Sequence, residues 1–381
     1  MKKLFMIAFL MGIVVWDTTA QNLLKHYPDV GFGIRYEQAT NQYILNGIIA
    51  PTLLSGMDNT GPTGPIRRIQ LRLLDDQLNT LWLNTYATQT EVSRAISVQG
   101  SCRKLTNAFY ATDAIRTADG GYLVCGMSAQ DMEISGCSGI PIFHNPFLLK
   151  TNSTGAVMWY KRYAVEGGFS SVVEDQATGR LIACGGTINH EGLIICTDPT
   201  GNIFWSRGVV GRHPTIPGTV LNTSYNRIVP FITASGQFRY ALAGNADQGG
   251  YGVDGGILIS LIDINGSFYR DAVLNQNAFY LFPRCNDMAD ADDGKLVITG
   301  TSIDASGGYP CGADNGTMIL IKIDPETFVV DFFKVYHKYS GASVGNGLNV
   351  WYDGPFTKYC VAGLGSTGAV YMETDDNGNP L

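Results

Sequence analysis

The sequence predicts an all-β protein: a six-bladed β-propeller of four-stranded antiparallel blades, closed by its own N-terminal strand. Three observations predict it. A strand ending in Gly recurs at a long, regular period. Each copy is followed by the same order of short strands and tight turns. The two ends of the chain carry complementary parts of one unit.

The recurring glycines are Gly47, Gly126, Gly185, Gly244, Gly300 and Gly363, mostly about 60 residues apart. The fullest unit reads Ala111–Gly126 (ATDAIRTADGGYLVCG), then Pro146–Gly155 (PFLLKTNSTG) and Val157–Tyr163 (VMWYKRY). The same order returns as Gly179–Gly185 (GRLIACG) with Gly192–Trp205 (GLIICTDPTGNIFW). It returns again as Gly294–Gly300 (GKLVITG), Met318–Asp324 (MILIKID) and Phe332–Tyr336 (FFKVY). Weaker copies stand at Gln42–Gly47, Phe238–Gly244 and Lys358–Gly363. Four short strands per unit, here A to D, make a propeller blade. Asp-Gly and Asn-Gly dipeptides such as Asp119-Gly120, Asp293-Gly294, Asn265-Gly266 and Asn377-Gly378 set the A–B and C–D connections as tight turns.

Closure is read from the ends. The last unit has A near Leu348–Tyr352, B at Tyr359–Gly363 and C at Ala369–Thr374, with no D strand before Leu381. Leu23–Tyr27 (LLKHY) matches the D strands Trp159–Tyr163 (WYKRY) and Phe332–Tyr336 (FFKVY) position by position. The N-terminal strand is therefore expected to complete the last blade and remove an open sheet edge. The alternative is a native chain that continues with more repeats past Leu381.

Met1-Lys2-Lys3, an apolar run from Leu4 to Trp16, and the small residues Thr18-Thr19-Ala20 read as a signal peptide over residues 1–20. Residues 21–381 are then expected to form a single propeller domain, with no transmembrane segment. Gly is abundant at 46, aromatic residues make up 11% and charged residues only 15%, which suits many short strands and turns. A net charge of −7 without a Lys/Arg cluster argues against nucleic acid as a partner.

Asp119–Gly126, followed by Leu148–Gly155 and Trp159, resembles the repeats of secreted bacterial β-propellers, a group common in bacteria with type IX secretion. The resemblance spans nearly all of the chain after its leader. It implies export, to the periplasm, the outer membrane or the cell exterior. Proteins of that group often carry a C-terminal sorting domain, and the sequence ends without one.

Eight Cys in an exported chain permit disulfides. Cys102 and Cys285 fall just before strand A of two units, and Cys137 and Cys311 fall in the B–C loops of the same units. D–A and B–C connections share a rim, so the expected bridges are Cys102–Cys137 and Cys285–Cys311. Cys125, Cys184, Cys196 and Cys360 lie on strands and are expected to be core thiols. No Cys-x-x-Cys or His-x-His pattern marks a metal site, and no cofactor motif is present.

The five His sit at non-equivalent places, and no nucleophile elbow, His-Glu-x-x-His or phosphate loop occurs. Asp198–Asn202 and Asp375–Asn379 look like the start of a calcium loop, but no closing Glu follows, and Asp and Asn favour such turns on their own. Asp113, Glu174, Asp287, Asp290, Asp292 and Asp293 fall on or beside A strands, which line a propeller channel. Two of them facing each other could serve a polysaccharide hydrolase or lyase. Trp82, Trp159 and Trp205 recur with the D strand and read as packing residues.

The long connections, including Ala129–Asn145, Val210–Ser224, Asn245–Gly255 and Ile303–Asn315, are D–A or B–C loops expected on one rim. Variable loops on a rigid scaffold build recognition surfaces. The expected function is a non-catalytic, exported scaffold binding a protein or glycan partner there, with His144, His213, Tyr251 and Tyr309 as rim residues. One version is an accessory subunit of an envelope, outer-membrane or type IX secretion complex. The alternative is an enzyme acting on polysaccharide at the channel.

Overall fold

The fold is described from a computed structural model of the chain. The described residues are 4–9, 12–17, 33–37, 40, 42–49, 68–75, 77, 79–86, 98–99, 102–133, 144–212, 219–247, 256–274, 281–304, 316–336, 343–353, 356–365 and 368–381. None of them is helical and every strand pairing is antiparallel, so none forms a helix able to cross a membrane. The chain divides into two compact units, Met1–Glu174 and Asp175–Leu381.

In the first unit, β1 (Leu4–Phe9) and β2 (Gly12–Asp17) pair as a two-stranded hairpin over the residues read as a leader. Then β3 (Gly33–Glu37), β4 (Gln42–Ile49), β5 (Arg68–Leu74) and β6 (Thr80–Tyr86) make a four-stranded sheet in sequence order. The two-residue strand β7 (Val98–Gln99) edges a second sheet. Its main strands are β8 (Cys102–Arg116), β9 (Tyr122–Glu133), β10 (His144–Thr151) and β11 (Val157–Arg162). The last strand of the unit is β12 (Gly167–Glu174).

The second unit begins with β13 (Leu181–Thr187), β14 (Gly192–Thr197) and β15 (Ile203–Val209). The stub β16 (Gly211–Arg212) edges the sheet of β17 (Val220–Ile232), β18 (Phe238–Asp247), β19 (Gly256–Ile262) and β20 (Phe268–Leu274). Next come β21 (Leu281–Asp290), β22 (Leu296–Asp304), β23 (Gly316–Ile323) and β24 (Val330–Tyr336). The final sheet holds β25 (Ser343–Asp353), β26 (Phe356–Gly365) and β27 (Gly368–Thr374). Apart from the β1–β2 hairpin, the described strands fall into six sheets.

Burial explains the sequence pattern. The B and C strands read as unbroken apolar runs because both faces are covered: all of β14 and β19 are buried. The outer strands β15 and β20 are mostly exposed. Cores form between consecutive sheets. Ile44 and Leu71 meet Ala111, Val124 and Phe147 in the first unit. In the second unit, Ala241 and Ile259 meet Ile298 and Ile319, and Val297 and Leu320 meet Tyr359 and Val361.

The recurring B-strand glycine has a physical cause. Four inner strands carry a β-bulge: at Ala111/Asp113 in β8, Tyr225/Arg227 in β17, Cys285/Asp287 in β21 and Gly345/Gly347 in β25. Gly126, Gly244, Gly300 and Gly363 pair with the residue just before the bulge. A Cβ on Gly126, Gly244 or Gly300 would run into the carbonyl oxygen of Tyr110, Ser224 or Arg284. Only glycine lets the two backbones approach that closely.

The expected fourth strand of the last sheet, Leu23–Tyr27, lies outside the described residues. The C-terminal residues turn back onto β27: Thr374 bridges Pro380, and Leu381 N donates to the Glu373 carbonyl at 3.0 Å. This register matches the pairs Leu74–Thr80, Thr151–Val157, Thr197–Ile203 and Ile262–Phe268, which start the outer strands of other repeats.

Candidate functional site

The inner strands carry a row of polar residues at the bulges, and this row holds neighbouring inner strands together. In the first unit, Thr112 Oγ1 donates to the Phe169 carbonyl at 2.8 Å. Beside it, Asp113 Oδ2 accepts from Ser171 Oγ at 2.8 Å and Val172 N at 3.2 Å. In the second unit, Asn226 Nδ2 donates to the Cys285 carbonyl at 2.6 Å, and Asn286 Nδ2 to the Gly345 carbonyl at 2.9 Å. Asp287 Oδ2 accepts from Leu348 N at 2.8 Å, while its Oδ1 faces Arg227 Nε at 3.1 Å. Thr112, Asn226 and Asn286 occupy one position of the repeat; Asp113, Arg227 and Asp287 occupy the next. A bulge turns one residue out of the ladder and aims it sideways, so these side chains reach the adjacent strand.

Four of the six carboxylates considered for polysaccharide chemistry, Asp113, Glu174, Asp287 and Asp290, have backbone work already. Glu174 accepts from Ala118 N at 2.6 Å, and Asp290 accepts from Asp292 N at 2.8 Å. Asp293 pairs with Lys322 at 2.7 Å. An equivalent pair joins Asp119 and Lys150 at 2.8 Å, with the lysine side chain almost wholly buried. Burial alone would push the Asp119 carboxyl up, but hydrogen bonds from Lys150, Thr117 and Gly121 hold it below the usual carboxylate range. The Asp290 carboxyl is raised by burial.

The C–D turns are built alike. Asp198 Oδ1 accepts from Thr200 N and Asn202 N, both at 2.9 Å. Asp375 Oδ1 accepts from Asn377 N at 3.0 Å and Asn379 N at 2.7 Å. Asp75, Asn152 and Asp263 repeat the pattern. These oxygens brace turns, as the backbone preference of Asp and Asn requires. Among the described residues, no group of three or more His, Cys, Asp or Glu is placed to hold a metal ion.

Antiparallel order puts the ends of the B strands β9, β18 and β22 and the starts of the C strands β10, β19 and β23 at the end of each sheet away from its A–B and C–D turns. The third repeat differs: its B–C link is a tight turn, with His190 N donating to the Thr187 carbonyl at 3.1 Å and His190 at φ 63°. Of the rim residues named from sequence, His144 is not in a loop. It is the first residue of β10 and pairs with Ala129, because the C strand starts earlier than its apolar run suggests. His213, Tyr251 and Tyr309 lie outside the described residues.

The Cys285–Cys311 bridge is corrected. Cys285 is a free, wholly buried thiol inside β21, not a residue before it. Its Sγ lies 3.8 Å from the Asp287 carbonyl oxygen, and burial pushes the thiol pKa up. The inner strand starts at Leu281, several residues earlier than expected, which draws Cys285 into the core. Cys102 likewise opens β8. Its side chain, Cys137 and Cys311 lie outside the described residues, so the Cys102–Cys137 pairing does too. Cys196 is buried in β14, with its thiol pushed up to about 11 by burial.

Sequence reading passed over one surface. On the outer strands of the third and fourth repeats, Phe204 is 60% and Tyr269 51% exposed, each beneath an arginine. The signal was present in the repeat alignment. Arg180 and Arg239 precede equivalent B-strand residues, and Phe204 and Tyr269 are equivalent D-strand residues.

No protein-family model matches the chain, and no curated protein matches it. Among solved structures, it is similar to the Pseudomonas aeruginosa periplasmic gluconolactonase PpgL. That likeness has 10% identity and a TM-score of 0.50, over 99% of this chain and 96% of that one. It is also similar to a polysaccharide lyase, the PL25 ulvanlyase bound to -[GlcA(1-4)Rha3S]-. There the identity is 8% and the TM-score 0.52, over 99% of this chain and 83% of that one. These likenesses are of fold and show a propeller-type protein.

Proposed function

We propose that the chain is an exported β-propeller that acts as a non-catalytic recognition scaffold, binding a protein or glycan partner through its long B–C and D–A connections. The observation that supports this reading best is the use of the inner-strand carboxylates. Asp113 and Asp287, the two best placed for channel chemistry, spend their oxygens on the backbone and side chains of the adjacent inner strand. Residues 21–381 act as one six-bladed domain behind a leader of residues 1–20, and Leu23–Tyr27 continues the outer strand begun by Pro380 against β27. The protein serves in the cell envelope or outside it, as an accessory subunit of an outer-membrane or type IX secretion complex.

The test replaces connections 134–143 and 305–315 with short Gly-Ser links and compares affinity capture from the native envelope with that of the unaltered chain. Partner capture should disappear with the loops and survive changes to the A–B turn at Ala234–Gly236. Capture that survives loop replacement but is lost with the turn change would overturn the reading.

A further inference from the structure

Two arginine–aromatic pairs stand at equivalent positions of consecutive repeats in the second unit. The Arg180 guanidinium lies 3.9 Å from the centre of the Phe204 ring, and that of Arg239 lies 3.7 Å from the centre of the Tyr269 ring. Each arginine enters its B strand and reaches across the C strand to the outer one. Both rings stay more than half exposed, beside the exposed Ile203, Phe238 and Phe268. These outer strands also carry Arg207 and Arg270.

The same two positions are filled otherwise elsewhere. In the fifth repeat they hold Lys295 and Asp331, which pair with each other at 2.5 Å. There the cation is neutralised by its own sheet. In the third and fourth repeats an aromatic ring takes the place of the aspartate, so the cation keeps its charge for something else. None of Arg180, Arg207, Arg239 and Arg270 forms an ion pair among the described residues. Of the nearby acids, Asp198 and Asp263 brace turns, Asp271 accepts from Ser260 Oγ at 2.7 Å, and Glu191 lies against Gly208, beside Arg207. A chain of net charge −7 thus keeps the Arg180 and Arg239 guanidinium groups fixed against exposed rings with no ion pair among the described residues, and carries Arg207 and Arg270 on the outer strands themselves.

We propose that this outer-strand surface binds an acidic polysaccharide. Stacking on a ring holds a guanidinium flat and leaves its N–H edge facing outward, where it can take a carboxylate. Arg239 spends one N–H of Nη1 on the Phe238 carbonyl at 2.8 Å and one of Nη2 on Gln237 Oε1, which fixes it further and leaves its remaining N–H groups for the ligand. The exposed part of the ring offers an apolar platform for the C–H face of a pyranose. A uronic acid residue presents both features at once, a carboxylate beside an apolar sugar face. Two copies of the pair on successive repeats suit a linear polymer with one charge per sugar, and the second contact raises avidity without new chemistry. A nucleic acid fits less well, because its dense phosphates would meet the overall negative charge of the chain.

The experiment is calorimetric titration of the full chain with polygalacturonate, and in parallel with neutral dextran and an oligodeoxythymidylate. The variants are Phe204→Ala with Tyr269→Ala, and Arg180→Gln with Arg239→Gln; the two rings are exposed and the two arginines half-buried, and thermal melts verify folding. The unaltered chain should bind polygalacturonate but not dextran, and more weakly as salt is raised. Each double variant should lose at least about tenfold in affinity. The long-loop replacement should bind polygalacturonate as before, which separates this site from the proposed recognition loops. No binding to polygalacturonate, unchanged binding by either double variant, or equal binding to dextran or the oligonucleotide would overturn the proposal.

Discussion

At the residue scale, single acidic groups decide how the turns hold. Asp175 is 5% exposed and accepts the Tyr240 hydroxyl at 2.6 Å and Thr178 N at 2.9 Å. Burial by itself would raise its carboxyl, but the hydrogen bonds from Thr178 and Tyr240 outweigh that and hold it below the usual carboxylate range. A carboxyl depressed in the folded state contributes stability that is present above its unfolded value, about 3.9, and is lost as pH falls through the folded one. Asp175→Asn should therefore lower the unfolding midpoint at pH 7. The gap to the unaltered chain should narrow as pH drops from about 5 to about 3. Melting curves across that range measure it; a gap that stays constant would show that the charge is not what matters.

Residue identity alone did not reveal how these groups are used. The carboxylates of Asp113 and Asp287 look in sequence like candidates for chemistry, since nothing local marks the strand they reach. Their partners, Ser171, Val172 and Leu348, are about 60 residues away and come into range only through the bulge. The turn acids were more legible, because Asp198 and Asp375 bond to backbone within their own turns.

At the element scale, outer strands grip the C–D turn of the following repeat. Tyr86 Oη donates to the Gly155 carbonyl at 2.8 Å, and Tyr336 Oη to the Gly378 carbonyl at 2.7 Å. Trp205 Nε1 donates to the Ile264 carbonyl at 2.9 Å, two residues before Gly266. Of the D-strand tryptophans Trp82, Trp159 and Trp205, read from sequence as packing residues, Trp205 has this role in the structure. Gly155 sits at φ +79°, and a Cβ on it would meet the Trp82 ring at 3.0 Å and the Tyr86 hydroxyl at 3.1 Å. Gly236 has nearly the same backbone, φ +78°, with nothing within 4 Å. Gly236→Ala should then cost only the left-handed penalty, about 1–2 kcal/mol. Gly155→Ala should cost about 2–4 kcal/mol, because overpacking adds to that penalty. Denaturant unfolding of the two variants separates the terms, and equal losses would show that the grip on the turn carries no energy.

The strands themselves were legible wherever period and turn chemistry agreed, as at Gly294–Gly300 and Met318–Asp324. Strand starts were not. Cys285 and His144 were placed outside strands because the residues before the apolar run, Leu281–Arg284 and His144–Asn145, mix polar and apolar types. Pairing partners hold such residues in a sheet, and a single strand read alone does not show them.

At the scale of the whole molecule, the period near 60 was legible because four of the repeats place a glycine opposite a bulge of the inner strand. The outer-strand arginines were not, because each looks like an ordinary charged residue until the alignment of repeats shows that two of them stack on equivalent rings. The account rests on one division of labour. Polar groups of the inner strands build the scaffold, and recognition is left to its loops and outer strands. Thermal unfolding of Asp287→Asn beside the unaltered chain tests that division most directly. Asn cannot serve Arg227 as a counter-ion while also accepting from Leu348 N and Met288 N. The variant should therefore lose about 1–3 kcal/mol and melt at a lower temperature. Carboxylates kept for chemistry behave the other way, since neutralising them commonly leaves a protein as stable or more so. An unchanged or raised midpoint for Asp287→Asn would contradict the account.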